Sequence, residues 1–114
     1  MFRKLGVAAA ASVLMAGAAF ADPIEGRWKT EAGSTAQISA CGGAFCIKLL
    51  SGSHSGKQIG KMTSGGSNSY SGTITDPASD KTYKGKASLA GGILSLSGCV
   101  LGGLICRSQT WNKL

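Results

Sequence analysis

Carboxylates are scarce in this chain. Asp22, Glu25, Glu31, Asp76 and Asp80 are its five acidic residues, against 12 lysines and arginines. Catalysis by acids needs two of them in contrasting environments, and nucleophilic catalysis needs a base beside its serine or cysteine. Asp76 and Asp80 share one short segment, where bonding within their own turn is the expected role. The single histidine, His54, lies in a Ser-Gly-rich stretch without an acidic neighbour, and no CxxC pair accompanies it. Neither a serine–histidine site nor a zinc ligand set is legible. The expectation is a protein that is not an enzyme and carries no metal or cofactor. Aromatics are 6% of the residues, too few to interleave with basic residues as a nucleic-acid platform requires. Arg27, Lys29, Lys84 and Lys86 therefore read as solvated side chains, with an acidic glycan or lipid head group as the alternative partner for this charge.

Helical spacing is also missing after residue 21. What precedes that point has a different character. Met1-Phe2-Arg3-Lys4 is a short basic start, Leu5 to Ala18 is an apolar run, and Ala19-Phe20-Ala21 has the small-x-small pattern of a cleavage site. The run is shorter than the roughly 20 apolar residues of a membrane span, and Asp22-Pro23 follows at once. Residues 1–21 are thus expected to be a signal peptide, placing the remainder in the periplasm or outside the cell. Loss of Arg3 and Lys4 leaves ten basic against five acidic residues, a net charge of +5. Residues 22–114 suffice for one domain whose small core benefits from covalent staples.

That domain reads as strands throughout. Ile24, Gly26 and Trp28 alternate with Glu25, Arg27 and Lys29; Ala36, Ile38 and Ala40 alternate with Gln37 and Ser39; Ile47 and Leu49 face away from Lys48. Gln58 to Thr63 is weaker, because Ile59 and Met62 fall on different faces of a regular strand. Tyr70, Gly72 and Ile74, then Tyr83, Gly85, Ala87 and Leu89, then Leu94 and Leu96 resume the pattern, and Leu104 to Trp111 closes the chain. The connectors Ser64-Gly65-Gly66-Ser67-Asn68, Asp76-Pro77-Ala78-Ser79-Asp80 and Gly91-Gly92 are too short for helical crossovers. Asp76-Pro77 opens a turn well, since proline presets φ and the aspartate bonds to backbone two residues on. Eight antiparallel strands in a meander predict an all-β, single-domain, up-and-down barrel, which removes exposed sheet edges. Lys84, Lys86, Ser71 and Thr73 on the outward face oppose an outer-membrane barrel.

Four cysteines, all beyond residue 21, suit an oxidising compartment. Gly102-Gly103 between two β-prone runs predicts a tight hairpin that pairs Leu101 with Leu104, Val100 with Ile105, and Cys99 with Cys106. Cys41 and Cys46 bracket a second glycine turn, Gly42-Gly43. The expected disulfides are Cys41–Cys46 and Cys99–Cys106, each contributing roughly 2 to 2.5 kcal/mol by loop entropy.

Gly26-x-Trp28, the Cys41–Cys46 hairpin, Asp76-Pro77-x-x-Asp80-Lys81-Thr82-Tyr83, the run Gly98 to Cys106 and Ser108-Gln109-Thr110-Trp111 together resemble the DUF2147 family of small exported bacterial proteins. The resemblance covers nearly all of residues 22–114 and implies a calycin barrel, similar to lipocalins, without an established activity. Ser51 to Asn68 departs from the family by being short and lacking its Asp-x-x-Asn-Pro pattern. By likeness to lipocalin-like barrels, Gly26, Trp28 and a late cation would close the barrel. Arg107 is expected over the Trp28 ring, with Lys113 as the weaker candidate.

Three roles fit these observations: a carrier of a small apolar ligand, a module that binds an envelope protein (such as an inhibitor of a protease or lysozyme), or a structural envelope component. For the first, Trp28, Ile38, Tyr70, Tyr83, Gly85 and Leu96 are the expected pocket residues. Space would come from small inward residues at Ala36, Ala40, Gly72, Gly85 and Ala87. Oligomeric state is not legible.

Overall fold

The computed structural model describes residues 22–100, 102 and 104–114. The expected signal peptide and the Leu101–Leu104 pairing lie outside the described residues. Eight strands form: β1 Gly26–Lys29, β2 Thr35–Cys41, β3 Ala44–Leu49, β4 Gln58–Gly66, β5 Ser69–Thr75, β6 Thr82–Ala90, β7 Ile93–Val100 and β8 Ile105–Lys113. Each pairs antiparallel with the next, and β8 returns to β1 to close a barrel.

Turn chemistry drives the meander. Gly42 and Gly43 link β2 to β3 at φ 60° and 81°, the left-handed conformation of a two-residue hairpin that matches strand twist. Ser67 and Asn68, at φ 53° and 59°, make the equivalent turn between β4 and β5. Asp76 Oδ1 accepts the Ala78 amide at 2.9 Å, and the Asp80 amide donates to the Asp76 carbonyl at 2.7 Å, so Asp76-Pro77 starts the β5–β6 turn. Asp80 turns away from Asp76. Its carboxylate pairs with Lys57 Nζ at 2.9 Å, which also donates to the Pro77 carbonyl at 3.0 Å and ties this turn to the β3–β4 loop.

Alternation along the strands builds one interior. Trp28, Ile38, Ile47, Met62 and Leu94 are buried almost completely, with Ile24 beside them at the foot of β1. Ile59 and Met62 both reach this core although their spacing is odd. Ile47 opposes Gly60 while Lys48 opposes Gln58, so Ile59 is the extra residue of a β-bulge that restores the inward phase. The outward face is polar. Ser69, Ser88, Ser95 and Thr110 form one cross-strand row, and Ser71, Lys86, Ser97 and Ser108 form the next.

Both disulfides sit on this outer face. Cys99 is directly opposite Cys106 at a Cα separation of 4.1 Å, the close spacing of a non-hydrogen-bonded pair. Cys41 is bonded to Cys46 across a diagonal, 5.8 Å apart, since Cys41 faces Ala44 and Cys46 faces Ser39.

The barrel closes at its foot. Among the described residues, Trp28 with Lys113 and Lys29 with Asn112 join β1 to β8 in register. Above them β1 turns away, and Glu31 Oε2 accepts the Thr110 amide at 2.7 Å in place of a further ladder bond. The cation over Trp28 is Lys113, whose Nζ lies 4.7 Å from the ring centroid and donates to the Pro23 carbonyl at 3.1 Å and to the Glu25 carbonyl. Arg107, expected in that role, pairs with Gly98 near the opposite end of β8. Gly26 contributes to closure by what it lacks. It holds φ 129°, and a Cβ there would stand 2.9 Å from Lys113 Nζ.

Candidate functional site

The filled foot and the closing strand together place an opening at the barrel's other end. On β8, Arg107, Gln109 and Trp111 pair with Gly98, Leu96 and Leu94 of β7, so all three project to the interior face. They line a cavity of about 230 Å³ with Leu96, Gly98, Tyr83, Ile74 and Ile59, and with Thr75, Asp76 and Pro77 at the rim. Its floor is apolar and buried: Ile59, Leu96 and Trp111 are each less than a tenth exposed. Arg107 and Gln109 stand exposed above it.

Hydrogen bonding orients the polar groups. The Trp111 indole N–H donates to Gln109 Oε1 at 2.9 Å, which leaves the amide NH₂ of Gln109 as a free donor pair. The Arg107 guanidinium makes no hydrogen bond or ion pair among the described residues. Asp76 is held below the usual carboxylate range, first by the Ala78 amide, then by bonds from Ser79 and by the charge of Arg107. Its oxygens serve the turn. Among the described residues no three His, Cys, Asp or Glu side chains gather as a metal site would require.

Two residues expected to line a pocket, Tyr83 and Leu96, do so. Trp28 and Ile38 belong to the packed core, and the Trp28 indole donates to the Ile24 carbonyl at 2.9 Å. Tyr70 is also core, edge-on to Phe45 at 5.9 Å, with its hydroxyl donating to Asp22 Oδ1. Desolvation, followed by that hydrogen bond and the carboxylate's charge, raises the Tyr70 pKa.

Gly85 provides no space. A Cβ there would meet Ile74 Cγ1 at 2.6 Å and Met62 Cε at 2.9 Å, so larger neighbours already occupy the gap. Gly72 likewise abuts the Lys61 carbonyl, Ala36 and Ala87 are packed, and Ala40 is exposed at the foot. Gly98 is the glycine that leaves room, since a Cβ there would come no closer than 3.4 Å, to Tyr83 Cβ. Sequence reading missed Gln109, Trp111 and Gly98 as site residues. The hairpin register that pairs Cys99 with Cys106 carries the signal, because it sets Arg107 opposite Gly98 and Gln109 opposite Leu96.

The family model for an uncharacterized protein conserved in bacteria (DUF2147) matches residues 56–113. That segment holds β4 to β8 and with them the whole cavity. No curated protein and no solved structure matches the chain.

Proposed function

The chain belongs to the DUF2147 family, and we propose that it is an exported, non-enzymatic barrel that holds a small, mainly apolar molecule in its mouth. The observation that carries this reading is the 230 Å³ cavity, with its buried floor of Ile59, Leu96 and Trp111 beneath a polar rim. Export is supported by the basic start, apolar run and Ala19-Phe20-Ala21 pattern, and by two disulfides compatible with an oxidising compartment. The cross-strand rows of serines and lysines argue against a lipid-facing wall. A binding role without catalysis is supported by the state of Asp76, whose lowered pKa and turn bonds leave it a poor base.

The two tryptophans make the test internal. Titration with a neutral probe of cavity size, hexanamide, should move the indole N–H resonance of Trp111 and leave that of Trp28 in place. Gly98→Leu should fill the cavity, abolish the shift and leave the protein folded. Equal shifts at both indoles, or an unchanged response in Gly98→Leu, would mean that the probe is not in the mouth.

A second reading, a module that binds an envelope protein, has its own observation. From Ile105 to Gln109, β8 has a ladder partner only on the β7 side among the described residues, and Leu104 and Ile105 are 86% and 54% exposed. An open strand edge beside apolar side chains suits an added strand. Ile105→Lys separates the readings, because it should block an edge partner without disturbing hexanamide.

A further inference from the structure

We propose that the molecule held in the barrel mouth is a short apolar monocarboxylic acid, with its carboxylate on Arg107 and Gln109 and its tail against Ile59, Leu96 and Trp111. This inference rests on the ligand-binding reading above and adds the chemical class. It follows from a mismatch between donors and acceptors at the rim.

The donors are unspent. The Arg107 guanidinium offers five N–H groups and has no hydrogen-bond partner or ion pair among the described residues. Gln109 adds its NH₂, because the Trp111 indole already occupies its carbonyl oxygen. The acceptor at the rim is committed: Asp76 Oδ1 takes the Ala78 amide and its group supports the β5–β6 turn. A planar guanidinium beside an amide matches the two oxygens of a carboxylate, with charge-assisted bonds on both.

Asp76 also limits the charge. Its field reaches Arg107 and opposes every negative charge added at the rim, so the one guanidinium matches a monoanion, and the second charge of a phosphate monoester would go without a partner. Size limits the tail. At roughly 30 Å³ per non-hydrogen atom, taking liquid water as the gauge, the 230 Å³ cavity admits about eight such atoms. A six-carbon acid has that number and fills it. Gly98 faces Arg107 across the β7–β8 pair, and its missing side chain leaves the space for the head group.

Hexanoate and hexanamide have the same size and shape and differ in charge. With the Trp111 indole resonance as readout, hexanoate should bind at least tenfold tighter than hexanamide. Arg107→Gln should remove that preference by weakening hexanoate far more than hexanamide, and Arg107→Lys should restore part of it. Hexyl phosphate should bind more weakly than hexanoate. Equal affinity for acid and amide, or a preference that survives Arg107→Gln, would overturn the assignment of the acid while leaving the cavity reading intact. Tighter binding of hexyl phosphate than of hexanoate would overturn the monocarboxylate. Binding of neither hexanoate nor hexanamide would overturn both readings.

Discussion

Lys113 and Arg107 show what a single residue's role depends on. Both are cations on β8, and the Gly26-x-Trp28 motif calls for one of them over the indole. They lie six residues apart, about 20 Å along an extended strand, so only one can reach Trp28. Trp28 pairs with Lys113, and the lysine's ammonium is held by the Pro23 and Glu25 carbonyls. A double-mutant cycle on Lys113→Met and Trp28→Phe should give a coupling of about 0.5 to 1 kcal/mol in denaturant unfolding. Arg107→Met should show none with Trp28→Phe. Glycines divide in the same way. Gly85→Ala should cost about 1 to 3 kcal/mol, because Ile74 and Met62 must give way, whereas Gly98→Ala should stay within about 0.5 kcal/mol. Small size was legible in the sequence at both positions. What fills the space beside each was not, because that depends on neighbours brought in from other strands.

Among the elements, the β7–β8 hairpin was the most legible, for a physical reason. A two-residue turn fixes register, register fixes which side chains face each other, and the observed Val100–Ile105 and Cys99–Cys106 pairs follow. The β4 strand resisted the same reading. Strict alternation put Ile59 and Met62 on opposite faces, and the bulge that reunites them depends on pairing with β3. Closure was legible as topology but not in extent, since two residue pairs join β1 to β8. The upper half of β8 consequently depends on β7 and on the Cys99–Cys106 bond. Replacing both cysteines with serine should lower stability by about 2 to 2.5 kcal/mol. Amide exchange should quicken most at Arg107 to Gln109, where among the described residues no second strand supports the ladder, and far less at Trp111 to Lys113. Exchange that rises evenly along β8 would show that the disulfide acts only through the unfolded chain.

At the scale of the molecule, the barrel has a sealed foot and an open mouth, and the start of the described chain is part of the seal. Asp22 bonds with its side chain to the Ile24 amide and to the Tyr70 hydroxyl, and its own amide meets Glu25 Oε2 at 3.0 Å. Tyr70 is 4% exposed and packs on Phe45, so this contact joins the segment before β1 to the interior of β5. The arrangement requires a neutral phenol. Burial foremost, and then the Asp22 hydrogen bond and charge, raise the Tyr70 pKa above its ordinary value of 10.0. In the unfolded chain the same phenol ionises near that ordinary value. Folded protein therefore retains a proton that unfolded protein has released, and the contact's stabilisation is complete below about pH 10. Above it, stability should fall by up to about 1.4 kcal/mol per pH unit, the slope of one linked proton. Tyr70→Phe removes both the hydrogen bond and the titrating group. It should be less stable than the parent by about 1.5 to 3 kcal/mol at neutral pH, the range for a bond to a charged acceptor. The gap should then narrow as pH rises past about 10, because only the parent carries the Tyr70 phenol. Unfolding in denaturant at a series of pH values for both proteins measures that gap directly, since every other group is common to both. A constant gap across the alkaline range would show that Tyr70 and Asp22 do not hold the foot of the barrel through a shared proton.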